Sequence, residues 1–154
     1  MLNQTELLIL DELRKNSRTS IATISSKLGI PATTILMKMK KLEKAVIEKY
    51  TSIVNFQKLG MYVRVNFAIK ARYKDKLEKH IIEHPNVNSV CTLSGEYDYY
   101  FETVFPDMAS LYNFIESLDE YGLFKIDEHH IIEDLQREKI SLVEDNIKYP
   151  KHLA

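Results

Sequence analysis

The chain has no tryptophan, one cysteine, four glycines and four prolines in its 154 residues. A lone Cys91 cannot close an intramolecular disulfide, so the fold must stand on a packed core, and the composition suits a reducing cytoplasm. Scarce Gly and Pro argue against a low-complexity chain, and 45% apolar residues are enough to build a core. No apolar run approaches the roughly 20 residues of a membrane span. The start, MLNQTELL, has neither a basic flank nor a cleavage site, so no export is expected. Catalytic signatures are also missing: there is no GxGxxG, no Walker loop, no GxSxG and no Cys–His–Asp set. These absences leave a cytoplasmic protein, not an enzyme, with no cofactor, built as one ordinary domain or two small ones.

Charge of one sign is lacking overall, at a net −1, but the balance is uneven. Met1 to Lys49 carries nine Lys/Arg against five Asp/Glu, leaving twelve against seventeen for the remainder. An acidic C-terminal part repels nucleic acid, so an anionic partner belongs to the N-terminal part.

What is present there is a run of helix signals. Asn3 followed by Glu6 is a capping box, and Leu7, Leu10 and Leu13 recur on one face. Thr19 or Ser20 caps a second helix carrying Ile21, Ile24 and Leu28, and Gly29 ends it. Pro31 opens a third helix with Ile35, Met39, Leu42 and Val46 on one stripe. Residues 20–44 therefore read as a helix-turn-helix, whose usual work is to lay the second helix in the major groove. Ile47 to Val54 alternates loosely and is expected to form a wing or linker strand.

A different pattern follows. Tyr62 to Arg72 alternates as a half-buried strand, and Lys74 to His84 is helical. Val87 to Leu93 and Tyr97 to Val104 are strands joined by Ser94-Gly95-Glu96. Pro106-Asp107 opens another helix, Gly122 stops it, and Ile126 to Leu135 is a last strand. The order βαββαβ predicts a ferredoxin-like unit. The fold class is thus α+β, with a winged helix-turn-helix in residues 1–54, a hinge in 55–61, the ferredoxin-like domain in 62–140 and a polar tail in 141–154. The long strand from Val63 to Ile69 is expected to offer an open edge for dimerisation.

Three stretches, ILDELRKNSRTSIATISSKLGI, ILMKMKKLEKAVIEKYTSIVNFQKLG and SGEYDYYFETV, stand in this order. Together they resemble the Lrp/AsnC, or feast/famine, family of transcription regulators over about residues 2–140. The resemblance implies a winged helix-turn-helix reader and a βαββαβ sensor domain that dimerises through its sheet, often into tetramers or octamers. It also implies an amino-acid effector at sensor-domain interfaces, as in many members. The chain departs from the family pattern at apolar Leu36 and Met37, at a missing Gly before the wing, and at a third helix without its usual Ser cap. The fourth departure is Glu128, His129 and His130 in the last strand, where relatives usually have small hydroxyl residues.

The candidate DNA contacts are Thr33, Thr34 and Met37 for base edges and Lys38, Lys40, Lys41 and Lys44 for phosphates, with Arg18 as an additional phosphate contact. A solvated lysine face is the plain alternative for such a helix; the preceding helix and Gly turn favour double-stranded DNA. Ser94, Gly95, Glu96, Tyr97 and Asp98 are the candidate effector site, since turn N–H groups suit a carboxylate and Asp98 suits an ammonium. A plain hairpin turn accounts for the same residues. His80 and His84 are four apart on a helix and His129 and His130 adjoin on a strand, which falls short of a ligand set, so no metal is expected. Cys91 is expected to be a buried small hydrophobe. The reading is a sequence-specific DNA-binding regulator acting as a dimer or higher oligomer. The alternative is a small-molecule sensor or assembly module whose DNA reader has decayed.

Overall fold

A computed structural model of the chain describes residues 2–143. It divides into two compact units: residues 2–53 together with 136–143, and residues 54–135. Each is described by itself.

In the first unit, α1 (Gln4–Lys15), α2 (Ile21–Leu28) and α3 (Ala32–Ala45) pack round a small core. Asn3 and Glu6 form the anticipated capping box: the Asn3 side chain accepts from the Glu6 N–H at 3.0 Å, and Glu6 Oε2 accepts from the Asn3 N–H at 2.9 Å. Ser20, rather than Thr19, caps α2. Gly29 ends α2 at φ 66°, a left-handed conformation that costs other residues about 1–2 kcal/mol. Pro31 leads into α3 without a side-chain cap. Ile9, Ile24, Ile35 and Leu42 are fully buried, and the helical spacing of Ile35 and Leu42 gives α3 its inward stripe. Val46, expected on that stripe, is exposed, because it lies past the last turn of α3.

Residues 47–54 form no strand, contrary to the alternation of their sequence. They are nearly all exposed, so they lack a buried face to pair over. The Tyr50 hydroxyl donates to Glu43 at 3.2 Å and ties this segment to α3. The stretch 136–143 belongs with this unit: the Leu142 N–H and the Ser141 hydroxyl both donate to the buried Asp11 carboxylate, at 3.2 and 3.1 Å. Arg14 pairs with Glu138 at 2.9 Å. The sequence pattern instead assigns residues 136–140 to the second domain and 141–154 to a tail; residues 144–154 lie outside the described ones.

In the second unit, β1 (Val63–Ala71), α4 (Lys74–Glu83), β2 (Val87–Thr92), β3 (Tyr99–Phe105), α5 (Met108–Leu118) and β4 (Leu123–His130) follow in the predicted order. The sheet runs β2-β3-β1-β4, every pair antiparallel, which is the ferredoxin-like arrangement. Val65, Phe67 and Ile69 of β1 meet Leu77 and Ile81 of α4 and Leu111, Phe114 and Leu118 of α5 in one core. Phe67 stacks on Phe101 at 5.3 Å between ring centroids. Buried Thr103 donates its hydroxyl to the Val65 carbonyl at 2.9 Å, so its polarity carries no penalty.

Three expectations need correction here. β1 is central, between β3 and β4, so it has no open edge to offer; the edges are β2 and β4. The last strand covers Leu123–His130 and not residues 126–135. It starts where Gly122, at φ 63°, turns the chain against Ala71, and its ladder stops because Ile131 donates the last rung to Arg64 near the start of β1. Finally, Cys91 is exposed. It points away from the helices on the edge strand β2, opposite Tyr100.

Candidate nucleic-acid interface and effector turn

The outward face of α3 follows from its inward one. With Ile35 and Leu42 buried, Thr33, Met37, Lys40 and Lys44 recur at spacings of four, three and four on the opposite side. At 3.6 residues per turn they fall within an arc of about 60°. Lys40 and Lys44 are exposed, and neither forms an ion pair among the described residues. Thr33 is exposed and Thr34 half-buried towards the flank.

Lys38 and Lys41 are placed differently. Lys41 Nζ donates to Glu6 Oε1 at 2.9 Å, and Lys38 Nζ lies 3.7 Å from the same oxygen and 3.4 Å from Asn3 Oδ1. Glu6 is 1% exposed. The Asn3 backbone N–H and the Lys41 ammonium hold its carboxyl below its ordinary value against the opposing effect of burial. Two of the four candidate phosphate lysines are thus engaged by α1. Arg18 lies elsewhere, in the turn after α1, on the wall of a cleft of about 830 Å³ that Arg14, Lys15 and Lys49 also line. None of the four α3 stripe residues lines that cleft.

The effector turn is a Gly-bearing connection between β2 and β3, and Gly95 stands at φ 107°, a conformation open to glycine. Ser94, Gly95 and Glu96 are exposed. Asp98 is occupied: Oδ2 accepts from the Ala71 N–H at 3.1 Å, and Oδ1 accepts from Lys74 Nζ at 2.5 Å. Lys74 holds the Asp98 carboxyl below its ordinary value. The carboxylate pins the turn to the end of β1 and the start of α4, and an arriving ammonium would have to displace Lys74. Tyr97 donates its hydroxyl to Asp127 of β4, and Lys125 lies 4.6 Å from the Tyr97 ring centroid while pairing with Glu96 at 2.8 Å. Sequence reasoning does not find Asp127, Lys125 or Lys74. They come from other strands and helices, and only the β1–β4 pairing and the crossover bring them to the turn.

Family comparisons agree with this architecture. A winged helix-turn-helix DNA-binding model matches residues 2–45, and the Lrp/AsnC ligand binding domain matches residues 61–139. The chain belongs to the Lrp/AsnC family. It is a DNA-binding transcriptional regulator of Lrp/AsnC type with a ligand-binding domain, and the matched relatives are regulators, not enzymes. An uncharacterized regulator of Pyrococcus furiosus is 36% identical over 104 residues, covering 64% of this chain and 69% of its own. The transcriptional regulator AzlB of Bacillus subtilis is 33% identical over 121 residues, covering 75% and 77%. Among solved structures, LrpC of Bacillus subtilis superposes with a TM-score of 0.81 at 22% identity, over 88% of this chain and 98% of that one. A Neisseria meningitidis regulator solved as its L-Met complex gives 0.82 at 20% identity, over 89% and 94%. These two share the fold of the Lrp/AsnC chain described here. No helix among the described residues is long and apolar enough to cross a membrane.

Proposed function

We propose that this Lrp/AsnC chain reads a short DNA half-site with the Thr33–Met37–Lys40–Lys44 stripe of α3. It acts as a dimer or higher oligomer in the cytoplasm, and an amino acid or related small metabolite modulates it. The observation that carries the DNA reading is that Lys40 and Lys44, on the face opposite the core, form no ion pair among the described residues. Thr34 flanks that stripe, Arg18 in the turn after α1 offers a separate phosphate contact, and Lys38 and Lys41 join the stripe only when they leave Glu6. Few phosphate contacts come from one copy, and two copies double them and fix the half-site spacing.

The ligand-binding fold and the L-Met complex of the Neisseria relative support an effector. In this chain the exposed Ser94, Gly95 and Glu96 are its candidate contacts, with Tyr97 and Asp98 holding the turn in shape. Assembly and effector are then linked, because a ligand that favours one oligomer must bind that oligomer more tightly.

A mobility-shift titration of the full chain against genomic fragments, repeated across a salt series, tests the DNA reading. Sequence-dependent shifts that weaken steeply with salt are expected. Absence of any shift at low salt would instead favour a sensor module with a decayed reader. Thermal stabilisation against the twenty amino acids tests the effector, with at least one hit expected.

A further inference from the structure

We infer that Leu36 and Met37 are specificity-determining residues that read thymine methyl groups in the major groove. This rests on α3 being the DNA reader. Met37 is 68% exposed and Leu36 is 41% exposed, although the core beneath α3 is already filled by Ile35 and Leu42. Their exposed surface therefore serves nothing inside the unit. The neighbours identify the partner. Thr33, Lys40 and Lys44 share the stripe with Met37, it carries no carboxylate, and neither lysine is ion-paired among the described residues. An apolar pair set among such cations suits a polyanion that displays methyl groups, and duplex DNA is such a surface.

What the stripe omits sharpens the inference. The side chains that read guanine and adenine bidentately are Arg, Lys, Asn and Gln, and of these only Lys occurs in α3. Lys38 and Lys41 are held by Glu6, and Lys40 and Lys44 lie towards the C-terminal half, where a recognition helix leaves the bases for the backbone. At the N-terminal half there remain one exposed hydroxyl, Thr33, and the two apolar side chains. Apolar contact with the C5-methyl of thymine is the discrimination they provide, and an unbranched thioether such as Met37 adapts to the methyl's position.

The experiment uses the full chain and a duplex it enriches from a random-sequence library. Thymines in the enriched half-site are replaced one at a time by deoxyuridine, which removes the methyl and keeps base pairing. Burying one methyl-sized group implies a loss of about fourfold in affinity per contacted position, at an unchanged salt slope. The Leu36→Ala, Met37→Ala double variant is expected to bind the thymine and uracil duplexes alike, with its melting temperature little changed because neither side chain belongs to the core cluster beneath α3. Equal affinity of the wild-type chain for both duplexes overturns methyl reading while leaving DNA binding intact. Failure of any duplex to enrich overturns the DNA reading and this inference together.

Discussion

Glu6 shows how much one side chain can decide. Its carboxylate closes the capping box of α1 and engages two lysines of α3 from an almost fully buried position. Glu6→Gln keeps a carbonyl for the cap and releases Lys38 and Lys41. Non-specific DNA binding is then expected to tighten, and the log–log salt slope to steepen by about 0.9 for each further phosphate reached. The same charge has a pH signature. The Glu6, Asp11 and Asp98 carboxyls all lie below their ordinary values of 4.5, 3.8 and 3.8. Their stabilisation is complete above about pH 4.5 and is lost as pH falls through the depressed folded values. Acid unfolding followed by circular dichroism should show this loss, with a smaller share in Glu6→Gln. Asp98 belongs to the same class. Asp98→Ala removes the acceptor of the Ala71 N–H and the partner of Lys74, and should cost about 1–3 kcal/mol in denaturant unfolding. A loss of ligand response with unchanged stability would contradict this clamping role.

At the scale of elements, the part of α3 that is legible in the sequence is the part fixed by local rules. Gly29, Pro31 and the spacing of Ile35 and Leu42 specify the helix and its outward face without any partner being known. The engagement of Lys38 and Lys41 is not legible, because Glu6 is 35 residues from Lys41 in sequence and no local pattern records that approach. Strand edges are hidden for a similar reason. Alternation of Val65, Phe67 and Ile69 shows that one face is buried, and it says nothing of which strands lie on either side. Residue type alone favours burial of Cys91, whereas its exposure follows from the edge position of β2. In the turn, the need for Gly95 is legible and the engagement of Asp98 is not. A pair of double variants tests the proposed Thr33–Met37–Lys40–Lys44 stripe. Lys40→Ala with Lys44→Ala should weaken binding to all sequences alike and flatten the salt slope by about 0.9 for each phosphate no longer reached. Lys38→Ala with Lys41→Ala should change DNA affinity less and lower the melting temperature more, because it strands buried Glu6.

At the scale of the whole molecule, the sheet of the second unit supplies a place to probe assembly. The helices cover one face; the other carries Arg64, Asn66 and Ala68 from β1, with Tyr100 and Glu102 from β3. On that face Arg64 pairs with Glu102 at 2.7 Å and Asp134 at 2.5 Å, yet its Nε and the Oδ1 of Asn66 are buried without a hydrogen-bond partner among the described residues. Buried polar atoms are nearly always satisfied, so these two mark a spot where this face must shift to give them partners. This helix-free face, rather than an edge of β1, is where we place the proposed dimerisation. Tyr100 is half-buried at its centre, opposite Ala68 on one side and Cys91 on the other. Tyr100→Lys would place a charge there in both copies, facing inward across a two-fold. Sedimentation of the full chain should show association weakened on the order of tenfold or more, while each copy stays folded because the helix-side core is untouched. DNA affinity should fall with it, since the paired half-sites would no longer be held together. An unchanged dimer in Tyr100→Lys would move the interface to the strand edges, β2 or β4.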